Sequence, residues 1–315
     1  MRRHLWRHDA SPRRGRRPHP VLLAVIEAAA IATAAIVIVT SPIRADGSET
    51  RTTPVDTEHL FGFVEGADIG QQGEGELVTD STLRAGRSAG TFAITASELE
   101  LKYTAFQNFR ISGGATLAYY DISGIAGMRD TAHAAVQSLF FDARLRLLDR
   151  DRAPFGLTIS AAPHWGFVDE TSGVPAGHYG AEIQLLADRE LQPDRLVGAI
   201  NLLFANDRTR LVASDGIEHE SLAGGGAALA AQIMPGLWLG GEARYLRDYS
   251  GPALNVFAGQ ALYIGPTVYA RLPGNAFVSL AWNLQIWGKP ISAPGALDLV
   301  NFERHQLKLR FGLEF

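Results

Sequence analysis

The chain of 315 residues contains no cysteine, which excludes a disulfide scaffold and any metal site built on thiolates. It also lacks a strong charge of one sign, since 29 Lys and Arg face 33 Asp and Glu and leave a net charge of -4. The basic and acidic residues are distributed unevenly along the chain, because eight arginines fall within the first 45 residues. The remainder is acidic, whereas binding to bulk nucleic acid needs a concentrated basic surface, so we predict no nucleic-acid partner.

Long hydrophobic runs are also scarce, and the one that exists lies near the N-terminus, from Val21 to Thr40, with Glu27 as its interruption. An arginine-rich stretch precedes it and a small residue, Ala45, follows it before an acidic, polar stretch. This order is typical of a signal peptide, and we predict residues 1–45 as that peptide, with cleavage after Ala45. An uncleaved anchor is the alternative, because about twenty apolar residues can span a bilayer.

The remaining chain alternates apolar and polar side chains with period two. In residues 306–315, leucine and phenylalanine occupy one face, while Gln306, Lys308, Arg310, Gly312 and Glu314 occupy the other. About twelve such segments recur from residue 75 onward, each near the nine to eleven residues of a tilted strand that crosses a membrane. Short turns alternate with longer links between them. We therefore predict an all-β, antiparallel, up-and-down transmembrane β-barrel of about 12 strands over residues 75–315.

This pattern resembles that of Gram-negative outer-membrane β-barrels of the porin-like kind. The terminal Phe315 matches the aromatic residue that such barrels present to the barrel assembly machinery. The resemblance implies the outer membrane of a Gram-negative bacterium, with outer-membrane lipid and lipopolysaccharide as surroundings. A soluble β-sandwich also alternates, but aromatic residues near strand ends favour interfacial girdles: Tyr103, Phe155, Trp165, Phe167, Tyr179, Trp238 and Tyr245.

Two features depart from a regular barrel. Pro163 and Pro266 fall within predicted strands and each removes a ladder hydrogen bond, so we expect strand ends, bulges or poorly paired positions there. Residues 46–74 are mostly polar, with an apolar patch from Leu60 to Val64. A thirteenth strand would conflict with the even number usual in bacterial barrels. We interpret residues 46–74 as a periplasmic N-terminal segment that can tuck into the barrel mouth.

Charged side chains on the less apolar strand faces are predicted to line the lumen. Nine acids and nine bases occupy such positions, and long side chains of opposite sign can pair across a modest interior. The sequence thus predicts a narrow, charge-balanced lumen. The candidate lumen-lining residues are Glu98, Glu100, Lys102, Arg110, Asp142, Arg144, Arg146, Glu182, Asp188, Glu242, Arg244, Arg271, Lys308 and Arg310.

Catalytic signals are weak. Residues 86–90 match the G-x-S-x-G pattern around Ser88, but they link two strands, and no helical segment follows as a hydrolase would require. Ser160 and His164 on one strand would lie about 13 Å apart, beyond hydrogen-bond reach. The other histidines show no paired metal spacing. We therefore predict no catalytic residue, cofactor or metal ion.

Two functions stay open from the sequence. The first is a passive channel or porin-like transporter of small solutes. The second is a structural or ligand-binding outer-membrane barrel with a plugged lumen and functional outer loops. An outer-membrane enzyme is a weaker third interpretation, because it lacks a credible pair of nucleophile and base.

Overall fold

The computed structural model describes residues 55–87, 89–212, 216–291 and 295–315, so the predicted signal peptide lies outside the described residues. None of these ranges contains a helix long and apolar enough to cross a membrane. Twelve strands follow one another along them: β1 (Gly75–Ala85), β2 (Thr91–Phe106), β3 (Phe109–Ser123), β4 (Thr131–Leu148), β5 (Gly156–Val168), β6 (Pro175–Gln192), β7 (Leu196–Leu211), β8 (Ile217–Met234), β9 (Leu237–Ser250), β10 (Phe257–Leu272), β11 (Ala276–Pro290) and β12 (His305–Glu314).

The strands form one closed barrel. Each strand pairs antiparallel with its neighbours in sequence, and β1 closes the sheet by pairing with β12 from Glu76 opposite Glu314 to Ala85 opposite His305. Closure leaves no sheet edge with unpaired backbone groups, which is the condition for a β-structure in lipid. The prediction of an all-β, up-and-down barrel of twelve strands is confirmed.

The strands are longer than membrane crossing requires. β4, β6 and β8 have 18 residues each, against the nine to eleven that cross a bilayer at a tilt. Several segments expected as long links therefore continue the ladder, as Arg210 opposite Ile217 illustrates between β7 and β8. The link from Ile291 to Arg304 stays long. The described residues of this link lie at the barrel end opposite Gly75 and Phe315, referred to below as the outer end because residues 46–74 are predicted to be periplasmic.

Apolar side chains cover the outside of the barrel. Leu99, Leu101 and Leu117 are 55%, 56% and 59% exposed, as expected for side chains that face lipid rather than a protein core. Most of the predicted girdle aromatics are also exposed, but Trp238 is 3% exposed and packs inside. The prediction that Trp238 belongs to a girdle was wrong, because its side chain lies on the same, inward-facing side of β9 as that of Glu242.

Both prolines interrupt the ladder on one side of their strand. Pro163 of β5 pairs with Ala181 of β6, but the ladder between β4 and β5 is broken opposite it. Pro266 of β10 pairs with Gly241 of β9, and the ladder to β11 is broken in the same way. The prediction that these positions are poorly paired is confirmed. The missing proline N–H therefore faces a gap in the ladder at each site.

Candidate functional site

The interior of the barrel contains a segment of the chain itself. Residues 55–69, referred to below as the plug, enter from the end at which β1 begins and fold back on themselves. Asp188 of β6 joins the two ends of this turn, since its Oδ2 accepts hydrogen bonds from the Thr57 hydroxyl and, at 2.7 Å, from the Ala67 amide. Arg150 adds contacts with Val55, Thr57 and Asp68. The plug is thus a closed loop held at its base.

Glu58 is the centre of a buried ion cluster on one side of the plug. Its carboxylate accepts two hydrogen bonds from the Arg110 guanidinium and one from Lys102 Nζ at 2.8 Å, with Arg144 Nη1 at 3.5 Å. Burial alone would raise the pKa of Glu58, but the surrounding cations, Arg110 foremost, hold this pKa well below its ordinary value. The cluster joins the plug to β2, β3 and β4.

Glu65 extends the ionic contacts to the seam of the barrel, where β12 pairs with β1. Its carboxylate lies 2.8 Å from Arg144 Nη2 and 3.3 Å from Arg310 Nη2 of β12. Burial opposes ionisation here too, yet Arg144 and Arg310 lower the pKa of Glu65 far below the ordinary range. Both plug glutamates therefore remain charged at neutral pH and hold cationic wall residues in place.

The tip of the plug binds the wall through a single carboxylate. Glu242 Oε2 of β9 accepts the backbone amides of Gly62, Phe63 and Val64 at 3.3, 2.9 and 3.0 Å. Gly62 approaches β11 so closely that a Cβ at this position would lie 2.0 Å from the Cβ of Ala281. Only a residue without a side chain fits this contact, so the tip is matched to the wall in both shape and charge.

An apolar cluster fills the side of the plug opposite the ion pairs. Leu60, Phe61 and Val64 are 1%, 0% and 0% exposed, and they pack against Trp238 and Phe277 of the wall, among other residues of β1 and of β7 to β11. Full burial of each such side chain contributes about 1.5–3 kcal/mol. Because the ionic contacts reach β2 to β4 and β12, and the apolar contacts reach β1 and β7 to β11, the plug spans the lumen from wall to wall.

One plug carboxylate is not paired with a cation. Burial raises the pKa of Asp56 to about 6, and its Oδ2 is buried without a hydrogen-bond partner. The docked plug therefore holds this proton more tightly than a free segment would. The contribution of Asp56 to docking is complete below the ordinary aspartate pKa and is lost as the pH rises through about 6.

The plug lies between two cavities. The inner one, of about 520 Å³, is lined by Glu58, His59 and the residues of the short turns near Asp149. The outer one, of about 780 Å³, is lined by Phe63 and Glu65 of the plug and reaches the link that ends at Glu303. Residues of the plug thus line both cavities, one toward each end of the barrel interior.

Both cavities are acidic. Thirteen Asp and Glu side chains line the outer cavity against seven Arg and Lys, and nine against three line the inner cavity. Acids from the plug and the outer links, such as Glu65, Asp169 and Glu170, add to those of the strands. The charge balance expected from strand positions alone therefore does not extend to the cavities, which favour cations over anions.

The structure places the sequence-predicted lumen residues inside the barrel, in three settings. Arg110 and Glu242 bind the plug directly. Arg146, Asp188 and Arg271 line the inner cavity. The others line the outer cavity, and several of these, such as Arg144, also reach the plug: Glu98, Glu100, Lys102, Asp142, Arg144, Glu182, Arg244, Lys308 and Arg310. Pairing across the lumen was expected, whereas much of the observed pairing is with the plug.

Residues of the plug were not among the predicted site residues. The segment was expected at the barrel mouth, but Glu58 and Phe61 lie deep among side chains of the wall. The signal in the sequence is the apolar patch from Leu60 to Val64 between Glu58 and Glu65. In the structure this patch packs against apolar wall residues, while Glu58 and Glu65 bind cationic ones.

Ser160 and His164, considered from the sequence as a catalytic pair, bond to different partners. Ser160 donates a hydrogen bond to Asp142 Oδ1 at 2.7 Å, whereas His164 Nε2 lies 2.8 Å from Asp207 Oδ1. Ser88 of the G-x-S-x-G match lies outside the described residues. Each of Ser160 and His164 therefore has an acidic partner of its own.

Solved structures of outer-membrane β-barrels resemble this chain. An outer membrane channel from Pseudomonas putida F1 is 13% identical, with a TM-score of 0.55 over 80% of this chain and 100% of its own. The β-domain of the Bordetella autotransporter BrkA is 14% identical (TM-score 0.49; 78% and 100%), and the NanC porin is 8% identical (TM-score 0.44; 75% and 97%). Identities this low show a shared fold alone.

The closed barrel with its apolar exterior makes this chain an outer-membrane β-barrel protein of a Gram-negative bacterium. No curated protein matches its sequence. The model of one family does match, over residues 53–315, a range that includes the plug as well as the whole barrel. The chain therefore belongs to DUF6662, a family of unknown function.

Proposed function

We propose that the protein is a cation-preferring channel for small solutes that its own plug holds closed. The observation that carries the proposal is the position of the plug between two acidic cavities, with contacts on opposite walls. The proposal assigns no catalytic role to Ser160 and His164, because they bond to different acids rather than to each other.

The closed state depends on contacts that a solute or a partner could displace. The tip hydrogen bonds to Glu242 and the ion cluster of Glu58 both join the plug to the wall without any covalent link. An excess of charged lining of one sign favours ions of the opposite sign in an open pore. Release of the plug is therefore expected to open a path with a preference for cations.

Excision of the plug tests the proposal directly. Thr57 and Ala67 meet at Asp188, so residues 58–66 can be replaced by a short glycine link without displacing the flanking chain. In planar bilayers the excised variant is expected to conduct steadily, while the intact protein conducts rarely. A reversal potential in a KCl gradient should show preference for K⁺.

A reversible lock supplies the matched control. A Cβ at position 226 would lie 2.8 Å from Cγ2 of Val64, so Val64→Cys with Gly226→Cys can form a disulfide at the tip, in a chain that has no other cysteine. Combined with Glu242→Ala, the oxidised form should stay closed and the reduced form should conduct. If the excised and reduced variants are both silent, the barrel is structural or ligand-binding rather than a channel.

A further inference from the structure

We propose that the outer cavity contains a binding site for one divalent transition-metal ion of the zinc class, formed by His164, His178 and Asp207. These residues lie on the adjacent strands β5, β6 and β7 and line the outer cavity. Each histidine Nε2 lies 2.8 Å from Asp207 Oδ1, and the two Nε2 atoms are 3.3 Å apart. Three ligand atoms of the types that bind zinc thus converge on one point.

The spacing of these atoms fits a bound ion. A circle through the two nitrogens and the oxygen has a radius of about 1.7 Å, which is shorter than the zinc–nitrogen bond of about 2.0–2.1 Å. An ion about 1.1 Å above the plane of the three atoms can therefore bond to all of them, in place of the hydrogen bonds that join the histidines to Asp207. Two nitrogens of a tetrahedral zinc site at such bond lengths are about 3.3 Å apart, as they are here.

Two glycines leave the space that the side chains of the proposed ligands occupy. Gly180 of β6 is directly opposite both His164 and Asp207 in the ladder. A Cβ at Gly180 would lie 1.9 Å from Asp207 Oδ1 and 2.8 Å from His164 Nε2, and a Cβ at Gly166 would lie 2.8 Å from His178 Nδ1. Any larger residue at these positions would displace the ligands, so the wall is shaped around the cluster.

The surroundings supply a second layer of support. The backbone of Ala162 lies close enough to His164 to interact with its imidazole, and such a contact helps to orient a metal-binding ring. Glu170 Oε1 lies 3.9 Å from His178 Nδ1, which brings a second carboxylate within reach. The acidic lining of the cavity attracts cations, and imidazole ligands select transition metals over Ca²⁺ and Mg²⁺.

The other cluster of possible ligands, Glu58, His59 and Glu76, differs in its charge environment. Lys102 Nζ lies 2.8 Å from Glu58 and 3.4 Å from Glu76, and Arg110 also binds Glu58. Cations of the protein already neutralise these carboxylates, so a metal ion would have to displace them. His164, His178 and Asp207 are therefore the better metal ligands.

Calorimetric titration of ZnCl₂ into the full-length, tag-free protein in detergent, after treatment with a chelator, tests the site. One saturable site per chain is expected, and Co²⁺ in its place should give visible absorption bands of a nitrogen- and oxygen-ligated ion. His178→Ala and Asp207→Asn should each weaken zinc binding by at least about tenfold. The double variant His164→Ala with His178→Ala should remove the saturable site.

His133→Ala is the matched control, because His133 lies on the neighbouring strand β4, stacks on Tyr120 and binds Thr131 instead. It should bind zinc as the intact protein does. Heat-modifiable migration on a gel confirms that each variant is folded, and Asp207→Asn, which keeps side-chain volume, provides the test if a histidine variant does not fold. A site that persists in the folded double variant, or no saturable site in the intact protein, would overturn the proposal. The titration does not depend on conduction, so it can fail or succeed independently of the channel.

Discussion

Glu242→Gln is the most informative single change, because it removes a charge from the plug contact while leaving the shape of the wall. Glu242 Oε2 accepts three backbone amides of the tip. A hydrogen bond to a charged group contributes about 1.5–3 kcal/mol, against about 0.5–1.5 kcal/mol between neutral groups. Three bonds that each weaken by about 1 kcal/mol lower the docking free energy by about 3 kcal/mol. Since about 1.4 kcal/mol is a factor of ten, the docking constant should fall about 100-fold.

Hydrogen exchange followed by mass spectrometry measures this change in the plug itself. The amides of residues 62–64 should exchange about 100-fold faster in the Gln variant, if exchange occurs from the undocked state. Glu182→Gln is the control. Glu182 also lines the outer cavity, but it accepts a hydrogen bond from Gln184 rather than from the plug. If residues 62–64 exchange at the same rate in Glu242→Gln as in the intact protein, the carboxylate does not hold the plug.

Three further changes test the plug and the wall. Gly62→Ala should undock the tip because of the contact with Ala281, and Ala281→Gly in the same chain should restore docking, both measured by exchange of the tip amides. Asp56→Asn should strengthen docking at pH 7.5 and abolish its weakening between pH 5 and 7.5, because burial raises the pKa of Asp56 to about 6. An unchanged pH profile of exchange would contradict that role. Leu99→Arg, on the lipid-facing side of β2, should lose about 2–4 kcal/mol of folding stability in lipid vesicles, while Glu98→Arg, which faces the lumen, should lose less.

The barrel could be predicted because its main signal is local. A strand in a barrel faces lipid on one side and the lumen on the other, so Leu99 and Lys102 reveal their sides by their chemistry. The same logic misled for Trp238, because an aromatic residue near a strand end suits either an interface or a packed interior. Which one applies depends on the residues it meets, and Leu60 and Phe61 come from a distant part of the chain.

The candidate sites could not be predicted in the same way, since their residues meet only in three dimensions. From the sequence alone, Glu242 is indistinguishable from the other charged residues of the lumen. Only the structure shows that it accepts the backbone amides at the tip of the plug. His164, His178 and Asp207 show no metal spacing along the chain because each comes from a different strand. Register between neighbouring strands decides such sites, and a shift by one residue would turn each ligand toward lipid.

The plug has a consequence for the order of assembly. It precedes β1 in the chain, yet its partners extend from Lys102 of β2 to Arg310 of β12. Contacts between residues so distant in sequence form late, because the intervening chain must first be ordered. The binding surface for Glu65 is complete only after β12 has paired with β1. We therefore expect the plug to dock after the seam between β12 and β1 has closed.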